Sequence, residues 1–115
     1  MDSCKSVTIG VPVPDLDVAS AWYRDLLGDV EETSPAPGVR ELQIMPACWL
    51  QLFVAEAAAL NPSVLRLETD DIEACHLRVV ALGCAVGEIE LVPDAVRYFE
   101  FRDPFGNQLS FYEMI

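Results

Sequence analysis

The residues of this sequence that are best suited to chemistry are aromatic and acidic side chains that alternate with apolar ones along short segments. One such segment runs Tyr98-Phe99-Glu100-Phe101. In an extended strand, this alternation places every second side chain on the same face. An aromatic ring beside a carboxylate suits a flat or cationic organic ligand, through stacking and cation–π attraction. A carboxylate in the same position can also act as a general base.

Chemistry built on cysteine and histidine is disfavoured. The chain has no C-x-x-C pair, and its single histidine, His76, leaves no zinc-finger spacing. A catalytic Cys–His pair would need His76, whose sequence neighbour Cys75 points to a different helix face. We therefore expect reduced thiols that act mainly as small core hydrophobes. The four cysteines are Cys4, Cys48, Cys75 and Cys84.

Length and charge narrow the class of protein. The chain has 115 residues, of which 52% are hydrophobic, and this is enough for one domain with a sizeable core. Its formal net charge of −12 disfavours nucleic-acid binding and would attract cationic small molecules, or serve only to keep the surface soluble. No apolar stretch reaches the ~18 to 20 residues of a membrane span. The N-terminus has no basic region followed by an apolar run, so we expect a cytoplasmic protein.

The elements that position these residues follow from periodicity. Residues 7–13 alternate as a strand with Val7, Ile9, Val11 and Val13 on the buried face, and Pro12 places the end of that strand at an edge or bulge. A helix then runs from a cap at Asp15 to a stop at Gly28. The remaining predictions for the first half are a short segment near 30–33, a turn at 35–38, and strands near 39–44 and 49–54.

The second half repeats this order. The sequence predicts a strand at 64–68, a helix from Asp71 to Gly83 with Ile72, Cys75, Val79 and Leu82 as its buried stripe, and a hairpin turn at 103–107. Short segments are predicted near 85–91, 96–102 and 108–112. We expect a single domain over residues 1–115, with internal modules at about 5–55 and 62–115 and a connector at about 55–62.

The repetition can be checked by offset. Asp15 matches Asp71 at an offset of 56, and Leu27-Gly28 matches Leu82-Gly83 at 55. Residues 39–40 match 96–97 at 57, and residues 50–53 match 109–112 at 59. The offset drifts slowly, as expected when insertions fall in loops. The sequence therefore predicts an internal duplication.

Three motifs, in order, resemble the vicinal-oxygen-chelate superfamily, which includes glyoxalases, bleomycin-resistance proteins and extradiol dioxygenases. Residues 13–17 (VPDLD) and 21–28 (AWYRDLLG) resemble the family's opening strand and helix. Residues 69–74 (TDDIEA) are similar to the start of its second module, and residues 101–107 (FRDPFGN) to its closing hairpin. The resemblance implies an α+β fold of two tandem βαβββ modules, with curved mixed sheets around a cleft and helices on the outer faces. It also implies a homodimer.

Enzymes of this superfamily usually hold a divalent metal with His and Glu side chains from the opening and closing strands of both modules. Alignment on the helix caps and the closing strands places those four positions on Thr8, Gln51, Val64 and Ser110. Valine offers no ligand atom, and neutral hydroxyls and amides are weak donors. We therefore expect no metal and no other cofactor.

With the apolar residues of each strand packed on the helices, the alternate residues face the cleft. The predicted ligand-binding set, in chain order, is Thr8, Glu41, Gln43, Trp49, Gln51, Phe53, Arg66, Glu68, Tyr98, Glu100, Arg102, Ser110 and Tyr112.

Three functions fit this set. The first is a metal-free protein that sequesters an aromatic or cationic natural-product-like ligand, similar in character to the bleomycin-resistance proteins. The second is a glyoxalase-like lyase or isomerase that uses Glu41, Glu68 or Glu100 as a general base. The third is a structural or interaction module whose face is covered by a partner.

Overall fold

The computed structural model of the protein describes residues 6–55 and 64–115. Two compact units, residues 1–60 and 61–115, contain the same order of elements, βαβββ. The first unit comprises β1 (Val7–Val13), α1 (Leu16–Leu27), β2 (Glu32–Ala36), β3 (Val39–Met45) and β4 (Cys48–Val54). The second comprises β5 (Val64–Glu68), α2 (Ile72–Ala81), β6 (Glu90–Val92), β7 (Val96–Arg102) and β8 (Gln108–Met114).

Each helix begins at an aspartate, as predicted. The Asp15 carboxylate accepts a hydrogen bond from the Val18 amide, and the Asp71 carboxylate accepts one from the Ala74 amide, both at 3.1 Å. Gly28 and Gly83 follow the helices with φ values of 88° and 81°, a conformation that side chains with a Cβ rarely adopt. The predicted caps and stops are therefore confirmed in both units. Neither helix in the described part of the chain has the length and apolarity that crossing a membrane requires.

The two sheets have the same topology. Strand order is β1-β4-β3-β2 in the first unit and β5-β8-β7-β6 in the second. In each sheet the first and last strands of the unit pair in parallel, and the remaining pairs are antiparallel. Both sheets are therefore mixed, and the predicted α+β fold of two tandem βαβββ modules is confirmed.

Each helix covers one face of its own sheet. In the first unit Leu42, Leu50 and Leu52 are fully buried with Tyr23 and Leu26 of the helix. The second unit buries aromatic residues in the same layer. There Phe99, Phe101 and Phe111 have ring centroids 5.6–5.8 Å apart, and the His76 ring of α2 meets Phe99 edge to face at 4.9 Å. The apolar residues of the alternating strands thus form the core, as the period of two predicts.

Some boundaries differ from the prediction. Pro35 and Ala36, expected in a turn, belong to β2, because β2 is an edge strand and the missing N–H of proline costs no ladder hydrogen bond there. The predicted strand at 85–91 is reduced to β6 and an isolated bridge between Val86 and Phe101. Val7, predicted to be buried, is 51% exposed, since α1 contacts β3 and β4 while β1 lies at the sheet edge.

The described cysteines carry free thiols, and burial raises the pKa of Cys84 above its ordinary value. Cys75 is buried on α2, whereas Cys48 and Cys84 are half-buried. Cys4 lies outside the described residues.

Candidate functional site

A groove of about 630 Å³ lies on the face of the second sheet that is turned away from α2. Its walls are two tyrosines, two valines, one carboxylate and one guanidinium. The lining residues are Arg66, Val92, Val96, Tyr98, Glu100 and Tyr112. The groove lies entirely within the second unit.

Strand register builds this groove. Tyr98 of β7 lies directly opposite Tyr112 of β8, so the two phenol rings stand side by side on one face. Arg66 of β5 pairs with Ser110, which in turn pairs with Glu100. Arg66 and Glu100 therefore stand on the same face as the tyrosines, with the fully buried Ser110 between them.

The Tyr98 hydroxyl is held by a carboxylate. It donates a hydrogen bond to Glu90, and this bond, together with the negative charge of Glu90, raises the pKa of Tyr98 above its ordinary value of 10. The charge of Glu100 acts in the same direction, whereas that of Arg66 opposes it. Tyr98 is therefore a neutral phenol at physiological pH, with its proton directed to Glu90.

Further polar residues on this face, Glu100, Gln108 and Arg102, have hydrogen-bond partners within the unit. The Gln108 amide donates to the Glu100 carboxylate at 2.8 Å, and the Arg102 guanidinium donates to the Gly106 carbonyl at 2.9 Å. A second, smaller cavity of about 380 Å³ adjoins these groups. It is lined by Ala85, Val86, Gly87, Glu100, Phe101, Arg102 and Gln108. Glu100 lines both cavities.

The corresponding face of the first sheet is organised differently. The Gln51 amide donates to the Glu41 carboxylate at 3.0 Å across the β3–β4 pair. The Phe53 ring lies against Gly10, where an added Cβ would be 3.2 Å from its Cε1 atom. Trp49 pairs with Thr8 on one side and with Gln43 on the other. Gln43 also lines a shallow cavity of about 290 Å³ with Asp29, Val30, Glu31, Met45 and Pro46.

The predicted ligand-binding residues therefore separate into groups. The structure brings Arg66, Tyr98, Glu100 and Tyr112 together in the groove. Arg102 lies in the smaller cavity, Ser110 is buried within the sheet, and Glu68 pairs with Tyr112 beside the groove. The remaining members lie on the first sheet and belong to that unit: Thr8, Glu41, Gln43, Trp49, Gln51 and Phe53.

Three residues that lie in or beside the groove were not predicted from the sequence. Val96 precedes Tyr98 by two positions, so the same period of two places it on this face. Glu90 and Val92 belong to β6, which has three residues and is too short to show a period. Their place beside Tyr98 and Val96 comes from the β6–β7 pairing alone.

None of the four positions predicted from the sequence as equivalents of metal ligands carries a good donor for a divalent cation. The Gln51 amide is bonded to Glu41, and the Ser110 hydroxyl is fully buried and directed at the Phe111 carbonyl, 3.5 Å away. Thr8 is an exposed hydroxyl, and Val64 carries no donor atom. Within residues 6–55 and 64–115, no group of three or more His, Cys, Asp or Glu side chains is arranged to hold a metal ion.

Comparison with known proteins agrees with this architecture. Residues 5–111 match the family model of the Glyoxalase/Bleomycin resistance protein/Dioxygenase superfamily. Among the proteins of curated function, none matches this sequence significantly.

Several solved structures have the same fold. TnmS3, an antibiotic binding protein from Streptomyces sp. CB03234, is 28% identical with a TM-score of 0.79, over 100% of this chain and 99% of its own. A glyoxalase/bleomycin resistance protein from Catenulispora acidiphila is 26% identical with a TM-score of 0.76, over 96% and 98%. Lactoylglutathione lyase from Agrobacterium tumefaciens is 25% identical with a TM-score of 0.76, over 93% and 91%.

Proposed function

Because the chain belongs to the Glyoxalase/Bleomycin resistance protein/Dioxygenase superfamily, we propose that it is a binding protein for an aromatic, antibiotic-like small molecule. The ligand would occupy the groove on the second sheet, with a ring of the ligand against Tyr98 and Tyr112. No metal takes part in this binding. The protein would sequester its ligand rather than transform it.

The observation that carries this proposal is the composition of the groove. Two tyrosine rings that stand side by side provide a large apolar contact area with little conformational freedom to lose. Val92 and Val96 extend the apolar surface, while Arg66 and Glu100 supply the few polar groups that orient a ligand. A volume of about 630 Å³ lies within the range of drug-sized sites.

The similarity to TnmS3 supports the same conclusion. That protein binds an antibiotic, and the similarity extends over the whole of both chains. The poor donor set at Thr8, Gln51, Val64 and Ser110 also favours binding over metal-dependent catalysis. The predicted homodimer and the predicted cytoplasmic location are part of this proposal. In a dimer, the second chain would enclose the groove, which one chain leaves open.

A second candidate function rests on Glu100. Of the three carboxylates considered as a general base, Glu100 alone is among the residues that line the groove. It would accept a proton from a bound carbon acid, and Gln108 would hold it in place. Replacement of Glu100 by Gln would then abolish turnover and leave binding intact, as measured by chromatography of the incubated ligand.

The binding proposal is tested by titration of the purified protein with bleomycin and with planar aromatic antibiotics, followed by thermal shift and calorimetry. We expect one or more planar aromatic compounds to raise the melting temperature. Tyr98→Leu should weaken the affinity for such a compound by about tenfold, because the ring contact is lost.

The matched control is Trp22→Leu, which removes a half-buried aromatic ring. Trp22 belongs to α1, the helix that covers one face of the first sheet. Its affinity should equal that of the parent protein. If no compound binds, or if the two variants lose affinity equally, the groove is not the binding site.

A further inference from the structure

Among the described residues that line the groove, Arg66 is the one that carries a positive charge. Within residues 6–55 and 64–115, ion pairs join Arg40 to Asp17 and Arg97 to both Glu73 and Glu113. In that part of the chain no ion pair involves Arg66. Its charge nevertheless acts within the groove, since it lowers the pKa of Tyr98 against the effect of Glu90 and Glu100.

The carboxylates near the groove are already engaged by protein donors. Glu90 accepts the Tyr98 hydroxyl, and Glu100 accepts the Gln108 amide. These neutral donors orient the two carboxylates without cancelling their charge, whereas the Arg66 guanidinium has no ion-pair partner among the described residues. The guanidinium of Arg66 offers a planar fork of N–H donors, which fits two oxygens of a carboxylate at once.

We propose that the natural ligand is an aromatic carboxylate, with its ring against Tyr98 and Tyr112 and its carboxylate on the guanidinium of Arg66. This inference rests on the proposed function and narrows its aromatic ligand to one that carries a negative charge. Charge selection then comes from a single residue on β5, and affinity for the ring comes from β7 and β8.

The net charge of −12 does not prevent this recognition. At physiological ionic strength the screening length is about 8 Å, so the acidic groups distributed over the surface act weakly on a bound anion. A bidentate contact with Arg66 acts at hydrogen-bond distance and is screened much less. The local contact therefore decides which charge is preferred, and the distributed charge mainly slows the approach of the ligand.

The test uses three naphthalene probes that differ only in charge: naphthalene-2-carboxylate, 2-naphthalenemethanol and 2-naphthylmethylammonium. Calorimetry at pH 7 and physiological salt measures the affinity of each for the full chain. The carboxylate should bind about tenfold more tightly than the alcohol, and the ammonium no better than the alcohol. Arg66→Gln should remove the preference for the carboxylate and leave the affinity for the alcohol unchanged.

Arg102→Gln is the matched control, because Arg102 stands on the same face of the sheet but lines the smaller cavity and is bonded to the Gly106 carbonyl. It should retain the preference. If the ammonium binds best, or if Arg66→Gln keeps the preference, the carboxylate assignment is overturned while the binding function stands. If none of the three probes binds while an antibiotic does, the carboxylate assignment fails and the proposed function stands; if neither the probes nor the antibiotics bind, both fail.

Discussion

The two sheets of this protein share one topology but differ on the face turned away from their helices. In the first sheet, Gly10 lets the Phe53 ring lie directly against the strand. Arg66 holds the equivalent place in the second sheet, as shown by the pairing of Gly10 with Gln51 and of Arg66 with Ser110. There the aromatic residue equivalent to Phe53, Tyr112, lines an open groove. A duplicated backbone thus carries an aromatic ring packed over a glycine in one copy and a candidate binding groove in the other.

The faces that pack on the helices differ too. The first unit buries Leu42, Leu50 and Leu52, whereas the second buries a cluster of three phenylalanines. Aromatic rings fill more volume per position, so the second unit fills this layer with larger side chains. The duplication therefore conserves the pattern of burial while the side chains that satisfy it change.

The largest expected effect on stability concerns the phenylalanine cluster of the second unit. Phe99→Ala should lower the free energy of unfolding by about 3–5 kcal/mol, because it removes a fully buried ring from the three-ring cluster. The matched change Leu42→Ala, at a fully buried position of β3 in the first unit, should cost about 3 kcal/mol. Phe99→Leu should recover most of the loss. Urea unfolding followed by circular dichroism measures all three, and equal losses from the two alanine variants would refute the contrast between the cores.

An intermediate effect on stability is expected at Gly10 and Arg66, which hold equivalent positions on the sheet faces turned away from the helices. Gly10→Val should lower the free energy of unfolding by about 1–2 kcal/mol, because even a Cβ at this position stands 3.2 Å from the Phe53 ring. Arg66→Val, at the equivalent position, should change it by less than about 0.5 kcal/mol, since Arg66 is exposed. The same urea titrations measure both free energies of unfolding. An unchanged stability in Gly10→Val would show that the faces of the two sheets are equally open.

The smallest effect concerns an ion pair that both units repeat. Arg40 bonds to Asp17 of α1, and Arg97 bonds to Glu73 of α2 and also to Glu113 of β8. Asp17 and Glu73 are solvent-exposed and the two arginines are half-buried, so Arg97→Gln should lower the melting temperature by only about 1–3 °C at pH 7. Arg40→Gln should have a smaller effect, because only one carboxylate is lost.

The effect of Arg97→Gln on stability should depend on pH, and the pKa of Glu73 gives the direction of that dependence. The hydrogen bond from Arg97 holds the pKa of Glu73 below its ordinary value of 4.5. A depressed carboxyl pKa contributes stability above the ordinary value, and this is lost as the pH falls through the folded-state pKa. The difference between Arg97→Gln and the parent protein should therefore shrink below pH 4.5. Melting curves at several pH values measure it, and a constant difference would exclude Glu73 as the partner.

Much of the fold was predictable because its signals are local. Asp15 and Asp71 cap the helices through bonds to amides three residues away, and Gly28 and Gly83 supply the conformation that ends them. Alternation assigned the buried face of each long strand. It failed for Glu90 and Val92, because a strand of three residues has no readable period and is defined only by its partner strand.

The sequence by itself determined the α+β class, the duplication, the superfamily and the absence of good metal ligands at Thr8, Gln51, Val64 and Ser110. These follow from residue types and short-range spacing, which the chain carries without folding. Only the tertiary structure decided which polar groups are already bonded. Strand register and side-chain direction decide that the oxygens of Glu90 and Glu100 accept hydrogen bonds. They also decide that Arg66 makes no ion pair among the described residues. Those contacts cross between neighbouring strands, so they depend on the pairing register and not on the periodicity of one strand.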